Sequence, residues 1–376
     1  MNAPDEPRAR DRDAAIDDLR AELVVMVVLL HAALAYCSFS TRDPANWFDS
    51  SAPVVDAARW PLLDWAVLYL DTFAMPLLFL ISGLFALPSL RRKGPRAFLI
   101  SRVLRLGIPF AFSALILAPL AFAPSFLMAD PRPATPYLAT FFTTDGWPVG
   151  PPWFLWVLLA FNGLLALVHA AWPDLPGRLR GQPTALVVLL VTAAAFLPAG
   201  LLVSHFYRAS LGPFDVQPGR LGLYLASFVL GMALGSGERW RTPGWPRFWA
   251  AWLWAGLFAF LIYMGAMGNT FRLPGPVTRI LLVVTFSFSC TGACLGWLGA
   301  ARRLAGLRHR LLDSLIANAY GIYLVHYAVV VWIQFALLPV GRPPWFKFGA
   351  ALAGGLGLSW GASALLRRIP APGRVL

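Results

Sequence analysis

His31 stands eleven residues after Arg20, at the far end of the run Arg20-Ala21-Glu22-Leu23-Val24-Val25-Met26-Val27-Val28-Leu29-Leu30-His31. Burying an ionisable side chain in so apolar a stretch is costly, so it marks a functional site. Read as a helix at ~1.5 Å per residue, the run lifts His31 ~16 Å above Arg20, close to the centre of a bilayer core about 30 Å thick. A cation at the rim and an imidazole half-way across suit chemistry conducted through a membrane and not on its surface.

Arg102 and Arg105 lie three residues apart, on one face of a helix, and two guanidiniums side by side suit a phosphate or pyrophosphate. Pro109, one turn deeper, is expected to kink or loosen that helix. The preceding Arg91, Arg92, Lys93 and Arg96 read instead as a cluster that sets topology and touches anionic lipid.

Asp71 falls at a depth similar to that of His31 when its span is entered from the other side. Two readings are open for it: a carboxylate that orients the imidazole and raises its basicity, or one bonded to backbone near the break expected at Pro76. Asp64, nearer the interface, reads as solvated. Ser82-Gly83 permits close approach, either of a neighbouring helix or of a ligand. Farther on, Tyr320, Tyr323 and His326 recur at three-residue steps and share a helix face. A lone histidine there would serve packing, whereas a polar stripe containing it reads as the lining of a cavity. His169, His205 and His309 lie near span ends and read as interfacial.

These groups need a membrane scaffold. Of 376 residues 58% are hydrophobic and 13% charged, far from the balance of soluble domains. The 16 Trp and 27 Phe fit interfacial belts and apolar packing. A net charge of +13 would suggest nucleic acid in a soluble chain, but here the cations punctuate apolar spans and no nucleic-acid partner is expected. About ten spans are expected, near residues 22–40, 62–87, 104–127, 152–172, 184–204, 219–236, 248–267, 276–299, 313–338 and 345–366. The fold class is therefore all-α and polytopic. Most of the 31 Lys and Arg fall on the side of the N-terminus, which places both termini in the cytoplasm. Residues 1–18, rich in Arg, Asp and Glu and without a signal-peptide core, read as a disordered tail, 19–366 as one transmembrane domain, and 367–376 as a short tail. There is no internal repeat to suggest an inverted-repeat transporter. Cys37, Cys290 and Cys294 suggest neither a metal site nor a disulfide; the one-turn spacing of Cys290 and Cys294 reads as packing.

Taken in order, these marks resemble the membrane-embedded acyltransferase type 3 family over approximately residues 17–366. The marks are Arg20 with His31, Met75-Pro76-Leu77 running into Ile81-Ser82-Gly83, Arg102-x-x-Arg105 with Pro109, Pro152-Trp153-Phe154-Leu155, and Tyr320-Gly321-Ile322-Tyr323-Leu324-Val325-His326. The Met-Pro and Pro-Trp-Phe-Leu forms look most like the branch that includes the periplasmic glucan succinyltransferases. The chain is expected to lack the extra periplasmic hydrolase-like domain that some members carry.

The resemblance implies a multi-pass protein of a bacterial inner membrane with no permanently bound cofactor. It would move an acyl group, acetyl or succinyl, from cytoplasmic acyl-CoA to a hydroxyl of a glycan or other acceptor. On that reading Arg20, Arg102 and Arg105 hold acyl-CoA, His31 is the base, and Asp71 orients it. Ser82, Gly83, Trp153, Tyr320, Tyr323 and His326 line the acceptor or acyl pocket. Direct transfer and an acyl-histidine intermediate both remain open, as does the need for a periplasmic partner. The alternative is a secondary transporter or lipid-linked-sugar flippase that uses the same buried His and Asp.

Overall fold

The structure is a computed structural model that describes residues 13–48, 50–144, 146–174, 183–203, 207–237, 239–242, 245–304 and 310–369. His205, His309 and residues 1–12 and 370–376 of the two expected tails lie outside the described residues, while 14–18 of the first already belong to a helix. The long helices, in chain order, are α1 (Ala14–Leu34), α2 (Pro61–Lys93), α3 (Pro95–Leu127), α5 (Trp153–Ala171), α6 (Ala185–Leu202), α7 (Pro218–Gly235), α8 (Trp249–Met267), α9 (Gly275–Leu304), α10 (Arg310–Leu337) and α11 (Pro344–Leu366). A short α4 (Tyr137–Thr143) and a hairpin of β1 (Ala209–Leu211) and β2 (Phe214–Val216) complete the described elements.

Nine of these helices, all the long ones except α1, are long and apolar enough to cross a membrane. The chain is an all-α, multi-pass membrane protein. The expected first span, 22–40, is the one that differs. Its helix starts earlier, capped by the Asp13 side chain, carries Asp17, Asp18, Arg20 and Glu22, and stops at Leu34. The last carbonyls of α1 find other partners, as a helix end inside a protein must. Gln334 donates to the carbonyls of His31 and Ala32 at 2.9 and 3.1 Å, and the Ser40 hydroxyl donates to that of Leu34 at 2.6 Å. Asp64, read as solvated, accepts from the Ser38 amide at 2.7 Å and so holds the chain as it leaves α1.

Helices α1 and α2 stand between two cores. One face of α2 sends Phe79, Leu87 and Leu90 into a core shared with α5, α10 and α11, while Phe73, Leu77, Leu80 and Leu84 enter a second core with α8 and α9. Because lipid is as apolar as Leu, helix association in a membrane depends on close packing. Helices α2 and α7 meet that need with glycines: a Cβ on Gly83 would strike the Phe228 carbonyl, and one on Gly231 the Leu80 carbonyl.

Helices α2 and α3 are joined by Gly94 alone, at φ 76°, a left-handed turn that favours glycine. Arg91, Arg92, Lys93, Arg102, Arg302 and Arg303 gather at the end of the bundle where α1 begins, and Arg302 pairs with Asp13 at 2.8 Å. We call it the basic end. The opposite end carries the described parts of the chain from 35 to 60 and from 128 to 152, tied together where Arg42 donates to the Met128 carbonyl, and the hairpin. Lys347 of α11 and Asp56, both buried, fasten the first of these by an ion pair at 2.7 Å.

Candidate active site

Helix α10 brings its motif against the last turn of α1. The rings of His326 and His31 lie 5.1 Å apart between centroids, with His326 Nε2 3.3 Å from His31 Nδ1. Backbone carbonyls decide where the protons sit. His31 Nδ1 is 2.7 Å from the Val27 carbonyl, and His326 Nδ1 is 2.7 Å from that of Tyr323 and 3.2 Å from that of Ile322. A carbonyl only accepts, so both Nδ1 atoms carry hydrogen. His326 Nε2 is then a bare lone pair facing the Nδ1–H of His31. The one ring nitrogen left open is His31 Nε2, which makes no hydrogen bond among the described residues. His326 is wholly buried, whereas His31 is half-buried.

The surroundings are aromatic. Tyr327 meets His31 edge-on at 5.0 Å between centroids, and the Tyr323 hydroxyl donates to the Pro151 carbonyl at 2.6 Å. Gly150 lies directly on the Tyr327 ring, so the turn leading into Trp153 is packed on α10 beside the imidazoles. Trp153 is buried against Tyr224, 5.4 Å between centroids. On the same side Arg208 pairs with Asp215, its Nε donating at 3.2 and 2.9 Å.

Asp71 departs from the first of its expected readings. Its carboxylate does not meet the imidazole; it takes Arg220 of α7 in a two-point pair, Oδ1 with Nη1 at 2.9 Å and Oδ2 with Nη2 at 2.5 Å. The partner beside His31 is His326. Arg220, only 2% exposed, also lies over the Phe286 ring. A cation sunk in an apolar span requires an acid, and the Asp71–Arg220 pair satisfies both. Arg220 was not anticipated from sequence. Its signal was present: an arginine just inside the span that follows Pro218-Gly219.

Three arginines converge at the basic end. Arg20 sits 4.8 Å from the Phe85 ring and 3.7 Å from Asp17, and Arg102 sits 4.9 Å from the Phe98 ring. Arg20 and Arg105 are both close enough for their charges to act on Arg102. Arg105 lies within a wide π-turn at Val103–Gly107, which runs directly into the segment Ile108–Phe112 that holds Pro109. Pro109 has no N–H for the carbonyl four residues back, that of Arg105. The Tyr320 hydroxyl donates to that carbonyl instead, at 2.5 Å. Tyr320 therefore joins α10 to the arginine turn, and the ~9 Å of helix from Tyr320 to His326 connects that turn to the imidazole pair.

Other expected pocket residues lie elsewhere. The Ser82 hydroxyl donates to the Leu78 carbonyl at 2.8 Å within its own helix, and Gly83 is filled by the backbone of α7. Of the two uses foreseen for this pair, the helix contact is the one present. No cluster of three or more metal-binding side chains occurs among the described residues. Cys290 and Cys294 are buried in α9.

A family model described as an acyltransferase domain matches residues 13–364. No curated protein and no solved structure matches the chain.

Proposed function

The chain belongs to the membrane acyltransferase type 3 family, and on that premise we propose that it carries an acyl group from acyl-CoA at the basic end to an acceptor hydroxyl at His31. The observation that carries this reading is the single open ring nitrogen. Among the described residues His31 Nε2 makes no hydrogen bond, in a ring whose other nitrogen is already committed, and this is the form a general base requires.

The anionic part of acyl-CoA is held by Arg20, Arg102 and Arg105, and its thioester reaches inward along α10. The acceptor enters from the opposite end, where Trp153, Tyr323 and Tyr327 offer aromatic faces that suit a sugar ring. His31 Nε2 takes the hydroxyl proton as the oxygen attacks the thioester carbonyl. The C–S bond then breaks, and the proton passes from Nε2 to the leaving thiolate. Ester and free CoA are the products, and no electrons change hands.

The concentration of cations at one end supports a cytoplasmic orientation for that end, in a bacterial inner membrane, where acyl-CoA is available. The resemblance of the Met75-Pro76 and Pro152-Trp153 forms to the glucan succinyltransferase branch supports an acetyl or succinyl donor and a glycan acceptor. Family membership weighs against the transporter alternative. The test is to supply acetyl-CoA and succinyl-CoA with labelled acyl groups to the purified protein in liposomes, offering glucan and other glycans in turn. Label appearing as ester on one acceptor supports the reading. Uphill accumulation of a solute with no ester formed would contradict it.

A further inference from the structure

A histidine base becomes a cation as it works, and some neighbour must bear that charge. In hydrolytic triads the neighbour is a carboxylate. Here the carboxylate at the right depth, Asp71, is already bound at two points to Arg220, and no carboxylate contacts either imidazole among the described residues. The acid of the hairpin, Asp215, is likewise taken, by Arg208.

What does face the Nδ1–H of His31, besides its own helix carbonyl, is the lone pair of His326 Nε2 at 3.3 Å. That lone pair is prepared for the task. The opposite nitrogen of His326 gives its hydrogen to the carbonyls of Tyr323 and Ile322, which fixes the tautomer and raises the basicity of Nε2. The ring is wholly buried, so water does not compete for the position.

We propose that His326 is a positioning residue for the transfer, acting through His31. It takes the place of the triad carboxylate by accepting the Nδ1–H bond of the His31 imidazolium and sharing its positive charge. The inference rests on His31 being the base. In balance, His31 Nε2 gains the acceptor's proton, the Nδ1–H···Nε2 bond to His326 strengthens, and His31 Nε2 then releases its proton to the thiolate of CoA. His326 ends each turnover unchanged. It does not line the acceptor pocket, because its polar atoms are both in use.

Two measurements test this. The first needs no substrate: the protein is labelled with 15N-histidine, reconstituted in lipid, and its imidazole nitrogens are read by NMR. Both rings should carry hydrogen on Nδ1 only, with a coupling between His31 Nδ1 and His326 Nε2. A resting His326 protonated at Nε2 overturns the proposal. The second is CoA release from acetyl-CoA and succinyl-CoA. His326→Ala should lower kcat by about 10²-fold with the KM for the donor unchanged. His326→Gln, whose carbonyl oxygen can replace the accepting nitrogen, should recover to within about tenfold of wild type. A kcat for His326→Ala within about threefold of wild type overturns the proposal. His31→Ala separates the two ideas. If it is inactive while His326→Ala is not, only the present inference fails; if it turns over normally, the base assignment fails and this inference falls with it.

Discussion

Asp71 and Arg220 form a two-point ion pair between α2 and α7, with Oδ1–Nη1 at 2.9 Å and Oδ2–Nη2 at 2.5 Å. The pair is asymmetric: the Arg220 side chain is 2% exposed and that of Asp71 32%. Removing the acid strands a buried cation, while removing the cation leaves an acid that still reaches polar surroundings. Asp71→Ala should therefore destabilise by about 3–5 kcal/mol, and Arg220→Ala by less. The double variant should lie closer to wild type than the sum of the two. Thermal unfolding in detergent reads all three. A double variant no better than additive would show that the pair does not act as a unit.

Tyr320 and Pro109 form a second testable pair. Tyr320→Phe leaves the Arg105 carbonyl without its hydroxyl donor and should cost about 1 kcal/mol, with a raised KM for acyl-CoA as Arg105 shifts. Pro109→Ala supplies a backbone N–H for the same carbonyl. Added to Tyr320→Phe, it should recover much of the loss. If the second substitution only worsens the first, the carbonyl account is wrong.

The proposed role of the arginines in holding acyl-CoA predicts an effect on binding. Arg102→Ala and Arg105→Ala should raise the KM for acyl-CoA about tenfold or more each, with kcat little changed, and the effect should shrink at high salt. Lysine substitutions should recover only part, since a point charge lacks the guanidinium fork. A loss confined to kcat would remove these residues from the donor site.

Gly83→Ala places a methyl group on the Phe228 carbonyl and should destabilise by about 1–3 kcal/mol, whereas Ser82→Ala, which loses only a bond within its own helix, should change unfolding little. Equal, small effects at both positions would mean that α2 and α7 do not depend on this contact.

Much of this arrangement was legible from residue types alone. Long apolar runs identify the spans, and the basic end follows from where Arg91, Lys93 and Arg302 interrupt them. Arg20, His31, Arg102 and Arg105 stand out because charge inside or beside an apolar helix is expensive. The choice of partner was not legible. His31 and His326 are 295 residues apart, and Asp71 and Arg220 149 apart, so their pairing depends on how helices pack and not on any local pattern. Depth along a helix suggested Asp71 as the neighbour of His31, but depth says nothing about which way a side chain faces around the axis. The end of α1 was misjudged for a related reason. Residues 35–40 are apolar enough to continue a span, yet Gln334, Ser40 and Asp64 supply the partners that let the helix stop at Leu34.

The most direct test of the central claim is single-turnover release of CoA thiol from acetyl-CoA and succinyl-CoA, comparing wild type with His31→Ala at equal donor occupancy. The account predicts that His31→Ala binds the donor as wild type does, unfolds at a similar temperature, and, with a glycan acceptor present, releases free CoA at least about 10²-fold more slowly. Release at the wild-type rate without the His31 imidazole would contradict it.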